Sequence, residues 1–387
     1  MRILYSLLAL TLLPILASAQ TSAPPLIETE AEFATILDFE TGAVLFSKNG
    51  DTLMTPASMT KMMTAQVVFD RLRRGEIRLT DTFRTSENAW RKGGWQSGGS
   101  TMGLAIDDEP TVEELLRGVI ILSGNDACIV LAEGLAGTEE AFAREMTALA
   151  RDLGLDSATF ENATGLYGEN HRISANDLAK LAKIQIEQYP EFYAFYNERS
   201  YEWRGISQPN RNPLLGKVRG VDGLKTGHLE ISGYGLTSSG VQNGERRIVV
   251  LNGLDSEAKR GQESERMMRL AFTSFETRVM EPSSEPLTEL PVWMGVQRSV
   301  PVGLETPLVI SGHKRAFDDV QTEIVFNGPL EAPISVGARI GEVIVTLPGQ
   351  APVRTGIVAL RDVRELGYFG RVSEGLNQIL TGGNDNN

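Results

Sequence analysis

Ser58 and Lys61 stand three residues apart in Pro56-Ala57-Ser58-Met59-Thr60-Lys61, where an apolar-periodic segment begins. On a helix, residues at i and i+3 share a face, one turn apart. A serine hydroxyl is a poor nucleophile until a nearby base takes its proton. A lysine can be that base when burial or a second cation lowers its pKa. The Ser58 backbone N–H, near a helix N-terminus, could face a developing oxyanion. The spacing alone carries little, because S-x-x-K recurs at Ser256–Lys259 and Ser311–Lys314. Ser123-Gly124-Asn125 lies 65 residues after Ser58. A serine and an amide there can relay a proton and bind a peptide bond. S-x-N is also repeated, at Ser86–Asn88 and Ser174–Asn176. Lys225-Thr226-Gly227, a further 102 residues on, is the only K-T-G in the chain. Its lysine supplies charge, Thr226 a hydroxyl donor, and Gly227 room for a substrate backbone against a strand.

These residues need elements to hold them. Residues 33–39 and 43–47 are strand-like and joined by Glu40-Thr41-Gly42, a hairpin signal. Pro56 opens a helical pattern through Met59, Met62, Met63 and Val67 to about Arg73. Residues 84–109, rich in Gly and Ser, are expected to form a long surface loop. Residues 111–118, 126–135, 139–153 and 176–188 read as helices. Residues 221–240 and 246–251 read as strands, and 262–275 as a long helix. From Glu281 to Pro291 three prolines and no helical period suggest a linker. Short Val/Ile-rich runs then alternate with Gly and Pro turns, the pattern of a small all-β domain. Phe369, Val372, Leu376, Ile379 and Leu380 keep helical spacing in the tail.

The composition bounds the function. The 387 residues suffice for two or three domains, with 41% hydrophobic and 22% charged residues, close to ordinary globular usage. A net charge of −13 argues against a nucleic-acid binder, which needs a basic face. One cysteine, Cys128, excludes an internal disulfide, a zinc ribbon and an iron–sulfur cluster. Three histidines, His171, His228 and His313, offer little for a metal site, and no cofactor or metal is expected. Cys128 reads as a packed thiol, the methionine-rich stretch as core filling, and His171 as a solvated residue in a polar loop. Arg2, an apolar run over residues 3–16 and Ala17-Ser18-Ala19 read as a signal segment cut before Gln20. Export is therefore expected. No later stretch reaches the ~18 apolar residues of a membrane helix.

The ordered set S-x-x-K, S-x-N, K-T-G is the signature of penicillin-binding proteins and serine β-lactamases. Over nearly its whole length the chain resembles the D-alanyl-D-alanine carboxypeptidases of peptidase family S11, the low-molecular-mass penicillin-binding proteins. The resemblance is carried by residues 56–64 (Pro-Ala-Ser-Met-Thr-Lys-Met-Met-Thr), 123–128 (Ser-Gly-Asn-Asp-Ala-Cys) and 221–228 (Val-Asp-Gly-Leu-Lys-Thr-Gly-His). It implies a signal peptide at 1–19 and an α/β transpeptidase-like domain of the penicillin-binding/β-lactamase fold at 20–276. A linker at 277–291, a small β-sandwich domain at 292–367 and a tail at 368–387 would follow.

The resemblance also assigns roles. Ser58 would be the acylated nucleophile and Lys61 its base, with a pKa lowered by nearby Lys225. Ser123 and Lys225 would return a proton to the leaving D-alanine. Asn125 would hold the substrate backbone or a side-chain amide, Thr226 would contact the terminal carboxylate, Gly227 would let the substrate backbone approach the strand, and the His228 backbone N–H would join that of Ser58 as oxyanion donor. Arg211 and Arg260 match arginines near the substrate carboxylate, where a planar guanidinium pairs well. The implied substrate is a peptidoglycan pentapeptide, with β-lactams as covalent inhibitors and cell-wall remodelling as the process. The alternatives are a serine β-lactamase, a DD-endopeptidase and a non-catalytic peptidoglycan binder. A class A β-lactamase adds a water-activating glutamate in an E-x-x-L-N setting; Glu161 is present here, but the pattern is not. Relatives often carry an aromatic, membrane-bound tail. This one has no Trp and little positive charge, so only weak peripheral contact is expected.

Overall fold

A computed structural model describes residues 27–381; the segment read as a signal at 1–19, and residues 382–387, lie outside the described residues. The chain opens on the hairpin β1 (Phe33–Asp38) and β2 (Val44–Lys48), turned at Gly42 with φ +70°. One 3-10 turn, Ala57–Thr60, runs straight into α1 (Lys61–Arg73). The helices α2 (Glu87–Gly93), α3 (Val112–Ile120), α4 (Asn125–Ala136), α5 (Glu139–Asp152), α6 (Ala175–Gln188) and α7 (Pro190–Tyr193) follow. A small hairpin, β3 (Ser200–Trp203) and β4 (Ile206–Pro209), precedes the long strands β5 (Val221–Leu229), β6 (Gly233–Gln242) and β7 (Glu245–Leu254). Helix α8 (Glu257–Thr273) ends this part of the chain.

The sheet order is β2-β1-β7-β6-β5, antiparallel throughout. Successive strand residues face opposite sides. In β7, Ile248 and Val250 therefore join the core made with α1, α3, α4, α5 and α6, while Val249 and Leu251 join the one made with Met267, Met268 and Ala271 of α8. Both faces are covered, which explains the unbroken apolar run in the sequence. The result is a three-layer α/β domain with the sheet in the middle.

Two expectations need correction here. The long loop read at 84–109 contains α2, because Ser86 Oγ accepts from the Ala89 N–H and caps it, and Ala89 is buried. The segment read as a linker at 277–291 begins inside a strand, β8 (Phe275–Met280), and ends in another, β9 (Thr288–Trp293). The stretch free of strand is only 281–287.

The C-terminal part continues with β10 (Ser299–Leu304), β11 (Leu308–His313), β12 (Gln321–Phe326), β13 (Leu330–Glu331), β14 (Arg339–Thr346) and β15 (Val353–Ala359). A six-stranded sheet, β12-β14-β15-β10-β9-β13, and the pair β11-β8 enclose a separate apolar core around Val300, Val302 and Ile357. The tail forms α9 (Tyr368–Thr381). No helix among the described residues is long and apolar enough to cross a membrane.

Candidate active site

The 3-10 turn before α1 places Ser58 and Lys61 nearly in line, because side chains at i and i+3 eclipse in a 3-10 helix. Lys61 Nζ lies 2.8 Å from Ser58 Oγ and donates to the Thr164 carbonyl at 2.6 Å. Lys61 is fully buried and Ser58 half-buried. Ser58 makes no cap bond. The competing motifs behave differently: Ser256 caps α8, Ser86 caps α2 and Ser174 caps α6. The hydroxyl of Ser311 is turned into a buried polar cluster around Asp38.

Two of the non-glycine residues with positive φ sit at the site. Ala57 has φ +49° and Ser123 φ +62°, both left-handed and neither a glycine. Such residues cost roughly 1–3 kcal/mol each and persist only where the surroundings impose them. Ala57 aims the nucleophile turn, and Ser123 turns the chain into α4.

Helix α4 begins at Asn125, whose backbone N–H donates to the Ser100 carbonyl at 2.9 Å. Its neighbour Asp126, fully buried, fixes the wall that faces it. The Asp126 carboxylate accepts from the backbone N–H groups of Met102 (2.8 Å), Gly103 (2.8 Å) and Leu104 (3.0 Å), and from Thr101 Oγ1 (2.7 Å). The Gly98–Ser100 segment is thereby held beside Asn125. The opposite wall is β5, at the edge of the sheet. A Cβ on Gly227 would come within 2.7 Å of the Pro56 carbonyl, so glycine there lets β5 close against the nucleophile turn.

A cleft of about 420 Å³ opens between these walls. Ser58, Ser123, Asn125, Arg211, Thr226, Gly227, His228 and Arg260 all line it. Lys61 and Lys225 do not line it and are buried, and Lys225 Nζ donates to the Thr226 carbonyl at 3.2 Å. The ten residues singled out in the sequence thus gather at one place. The sequence reading missed Tyr234 and Glu257, which also line the cleft. Glu257 Oε1 accepts from Arg260 Nη2 at 2.7 Å, and the Tyr234 ring stacks on exposed His228, with centroids 3.8 Å apart. No motif marks either residue. Arg211, exposed, donates to Gln208 Oε1 at 3.1 Å, and Gln208 in turn donates to the Thr101 carbonyl.

Burial, which disfavours the ammonium, lowers the pKa of Lys61. The sequence reading gave Lys225 as the cause; the cause is desolvation, which the nearby Asp126 and Glu139 carboxylates oppose. Lys225 is held well below the usual lysine range by burial first, then by the positive charge of Lys61. Both amines are thus biased toward their neutral forms. Cys128, buried behind them, has its thiol pushed up to about 12 by desolvation and stays a thiol. His171 is a further correction. It is completely buried, not solvated, and desolvation holds it down to about 4. Glu161 is exposed, accepts from Asn170 Nδ2 at 3.1 Å, and does not line the cleft.

Comparison with known proteins agrees along the chain. The sequence model of a family described as D-alanyl-D-alanine carboxypeptidase matches residues 18–255, and one described as penicillin-binding protein 5, C-terminal domain, matches residues 275–365. The D-alanyl-D-alanine carboxypeptidase DacC of Escherichia coli (strain K12) is 35% identical over 360 residues, covering 92% of this chain and 89% of its own. The crystal structure of penicillin binding protein 5 from Haemophilus influenzae superposes with a TM-score of 0.73 at 32% identity, over 89% of this chain and 100% of that one. Penicillin-Binding Protein D2 from Listeria monocytogenes, solved in its ampicillin-bound form, matches 64% of this chain and 100% of its own with a TM-score of 0.56 and 26% identity.

Proposed function

The chain belongs to the D-alanyl-D-alanine carboxypeptidase family, peptidase family S11, and from that premise we propose that Ser58 is its acylated nucleophile and Lys61 the base that activates it. The enzyme is a serine-type carboxypeptidase of cell-wall remodelling. The observation that carries the assignment of roles is the 2.8 Å contact between Lys61 Nζ and Ser58 Oγ, with the lysine fully buried. A neutral lysine keeps two N–H donors and one lone pair. One N–H is spent on the Thr164 carbonyl, and the lone pair can take the Ser58 proton.

The scheme follows. Ser58 Oγ attacks the carbonyl carbon of the penultimate D-alanine of a peptidoglycan pentapeptide, and its proton passes to Lys61. The backbone N–H groups of Ser58 and His228 hold the oxyanion, an arrangement worth a few kcal/mol in a dry site. Ser123 and Lys225 return a proton to the departing D-alanine nitrogen. Asn125 holds a substrate amide, Thr226 and Gly227 align the terminal residue along β5, and Arg211 and Arg260 attract its carboxylate. Water then hydrolyses the acyl-enzyme. A β-lactam carries the same reactive carbonyl and acylates the same serine, as the ampicillin complex of the Listeria relative supports. The exposed position of Glu161, outside the cleft, weighs against class A β-lactamase chemistry. The protein acts after export, residues 1–19 being removed. Residues 20–276 carry the chemistry, and the β-rich unit follows. Peripheral membrane contact through the tail is at most weak, since little basic charge accompanies its apolar spacing.

The test is intact-mass spectrometry after adding a penicillin, with peptide mapping, beside D-alanine release from a peptide ending in D-Ala-D-Ala. A persistent adduct on Ser58, absent in Ser58→Ala, together with D-alanine release, is expected. A fleeting adduct with all the drug hydrolysed would replace this reading with a β-lactamase. No adduct and no release would replace it with a binding protein.

A further inference from the structure

Loop 160–171 carries a buried imidazole that the acyl-transfer scheme leaves without a task. His171 is completely buried, and both its ring nitrogens are engaged. Nδ1 accepts from the Glu161 backbone N–H at 3.2 Å, so the ring hydrogen sits on Nε2, which donates to Thr60 Oγ1 at 2.7 Å. The ring edge packs on Phe160, with centroids 5.4 Å apart. His171 does not line the cleft and has no free polar atom to offer a substrate. Whatever it does for the reaction passes through Thr60, which stands between Ser58 and Lys61.

The loop is built to lie along that turn. Its neck is closed by paired backbone bonds, Thr159 N–H to the Arg172 carbonyl at 2.8 Å and Arg172 N–H to the Thr159 carbonyl at 2.9 Å. Asn162 Oδ1 accepts from the backbone N–H groups of Thr164 (3.1 Å) and Gly165 (2.8 Å), which fixes the tip. Three consecutive residues then meet the turn and α1. The Ala163 carbonyl accepts from Thr64 Oγ1 at 2.6 Å, the Thr164 carbonyl accepts from Lys61 Nζ at 2.6 Å, and Gly165 lies against the Ala57 carbonyl. The bond between His171 and Thr60 fastens the returning end of the loop to the same turn, and neither residue lines the cleft.

We propose that His171 is a positioning residue for acylation: its ring clasps Thr60 and so seats the Thr164 carbonyl on the Lys61 amine. The inference rests on the reading of Lys61 as base. The carbonyl orients the amine by taking one N–H, which leaves the lone pair directed at Ser58. Displacement of a catalytic group by about 1 Å can cost roughly a hundredfold in rate. The clasp contributes through geometry, so its loss appears in the acylation step rather than in drug binding.

The test uses the full-length enzyme and a fluorescent penicillin, reading both the final labelling stoichiometry and the acylation rate at saturating drug. Thr60→Val removes the hydroxyl at nearly constant volume; Thr60→Ser keeps it. Thr60→Val and His171→Phe are expected to reach full labelling about ten- to a hundredfold more slowly, with Thr60→Ser within about threefold of the unaltered enzyme. The double variant Thr60→Val/His171→Phe is expected to be no slower than the slower single one. Wild-type rates in Thr60→Val overturn the proposal, and so does a Thr60→Ser enzyme as slow as Thr60→Val. If His171→Phe does not fold to full labelling, the Thr60 pair decides alone. Failure of the underlying reading looks different: full-rate labelling of Lys61→Ala would remove the base itself, whatever the Thr60 variants do.

Discussion

Arg260 holds the carboxylate of Glu257 at 2.7 Å in the wall of the cleft, although Arg260 is buried and the Glu257 side chain is 77% exposed. The Nε of Arg260 has no hydrogen-bond partner among the described residues. The guanidinium is paired with an acid whose own side chain stands in water and can swing away from it. A substrate carboxylate entering the cleft competes with Glu257 for the same fork. Glu257→Gln is therefore expected to lower KM for a peptide ending in D-Ala-D-Ala by about three- to tenfold, with the gain shrinking at high salt. Steady-state kinetics at two ionic strengths checks this. A KM that rises instead would make Glu257 a support for Arg260 and not its competitor.

The seam between the two domains rests on another acid. Asp38, fully buried, pairs with Arg247, and its carboxylate also accepts from Thr41 Oγ1 (2.6 Å), Ser311 Oγ (2.9 Å) and Thr277 Oγ1 (3.1 Å). Thr277 and Ser311 come from β8 and β11, so the cluster ties the β-rich domain to the catalytic sheet. Asp38→Ala leaves the buried Arg247 guanidinium with only the part-exposed Glu245 carboxylate, 3.0 Å away, as counter-ion, and breaking a buried pair in this way costs about 3–5 kcal/mol. Denaturant unfolding should show that loss, and calorimetry should show the two domains melting separately. The pair Asp38→Leu/Arg247→Met is expected to cost less, because the only charge that loses its partner is the part-exposed Glu245 and no fully buried charge is left alone. A single cooperative transition with under about 1 kcal/mol lost in Asp38→Ala would mean that the seam is held by something else.

What could be read in the sequence was short-range. Residues three apart on one turn, a proline opening a helix and a glycine in a hairpin are local signals, and they put Ser58, Lys61 and the first hairpin where they are. The decoys were not separable from Ser58 and Ser123 by spacing. Ser86, Ser174 and Ser256 are helix caps, and capping favours the same residue type as nucleophilic chemistry. His171 sits among Gly168, Glu169, Asn170 and Arg172, a polar string that reads as solvated. Its burial comes from Thr60, 111 residues away, a contact that no local pattern announces. Strand β8 escaped notice because its partner, β11, is distant in sequence, with the proline-rich stretch and two other strands, β9 and β10, between them. Short α2 escaped because it buries only Ala89 and Gly93.

Gly165 tests how closely the loop must approach. Its φ is +81°, and a Cβ there would lie 2.0 Å from the Ala57 carbonyl oxygen, a backbone atom with nowhere to go. Gly165→Ala combines left-handed strain with overpacking, for about 2–5 kcal/mol together. The loop should retreat, taking the Thr164 carbonyl off Lys61, and acylation should slow more than tenfold. Gly154 is the control. It too has positive φ, +72°, but nothing lies within 4 Å of its would-be Cβ. Gly154→Ala should therefore lose only about 1 kcal/mol, with acylation unchanged. Equal effects of the two changes on the acylation rate would show that loop contact does not matter to the chemistry.

Acid should act on His171 at Nδ1, which accepts from the Glu161 N–H and has no room for a proton, while the Nε2–H bond to Thr60 survives protonation. Burial holds His171 down to about 4, against an ordinary value of 6.5. Three charges bear on the ring: Glu161 in its own loop favours protonation, while Arg172 at the neck and Lys61 on α1 oppose it. The folded protein refuses a proton that the unfolded chain accepts, so this contribution is complete above pH 6.5. It is lost progressively as pH falls toward 4, and changes no further below that. Between pH 7.5 and 5 the loss is about 2 kcal/mol. His171→Phe cannot titrate, so its stability should fall by about that much less over the same interval. His313, also lowered by burial, is common to both proteins and drops out of the comparison. Urea unfolding at the two pH values measures the difference. Parallel losses in the two proteins would mean that His171 is as easily protonated folded as unfolded, and that its bond to the Glu161 N–H does not hold it neutral.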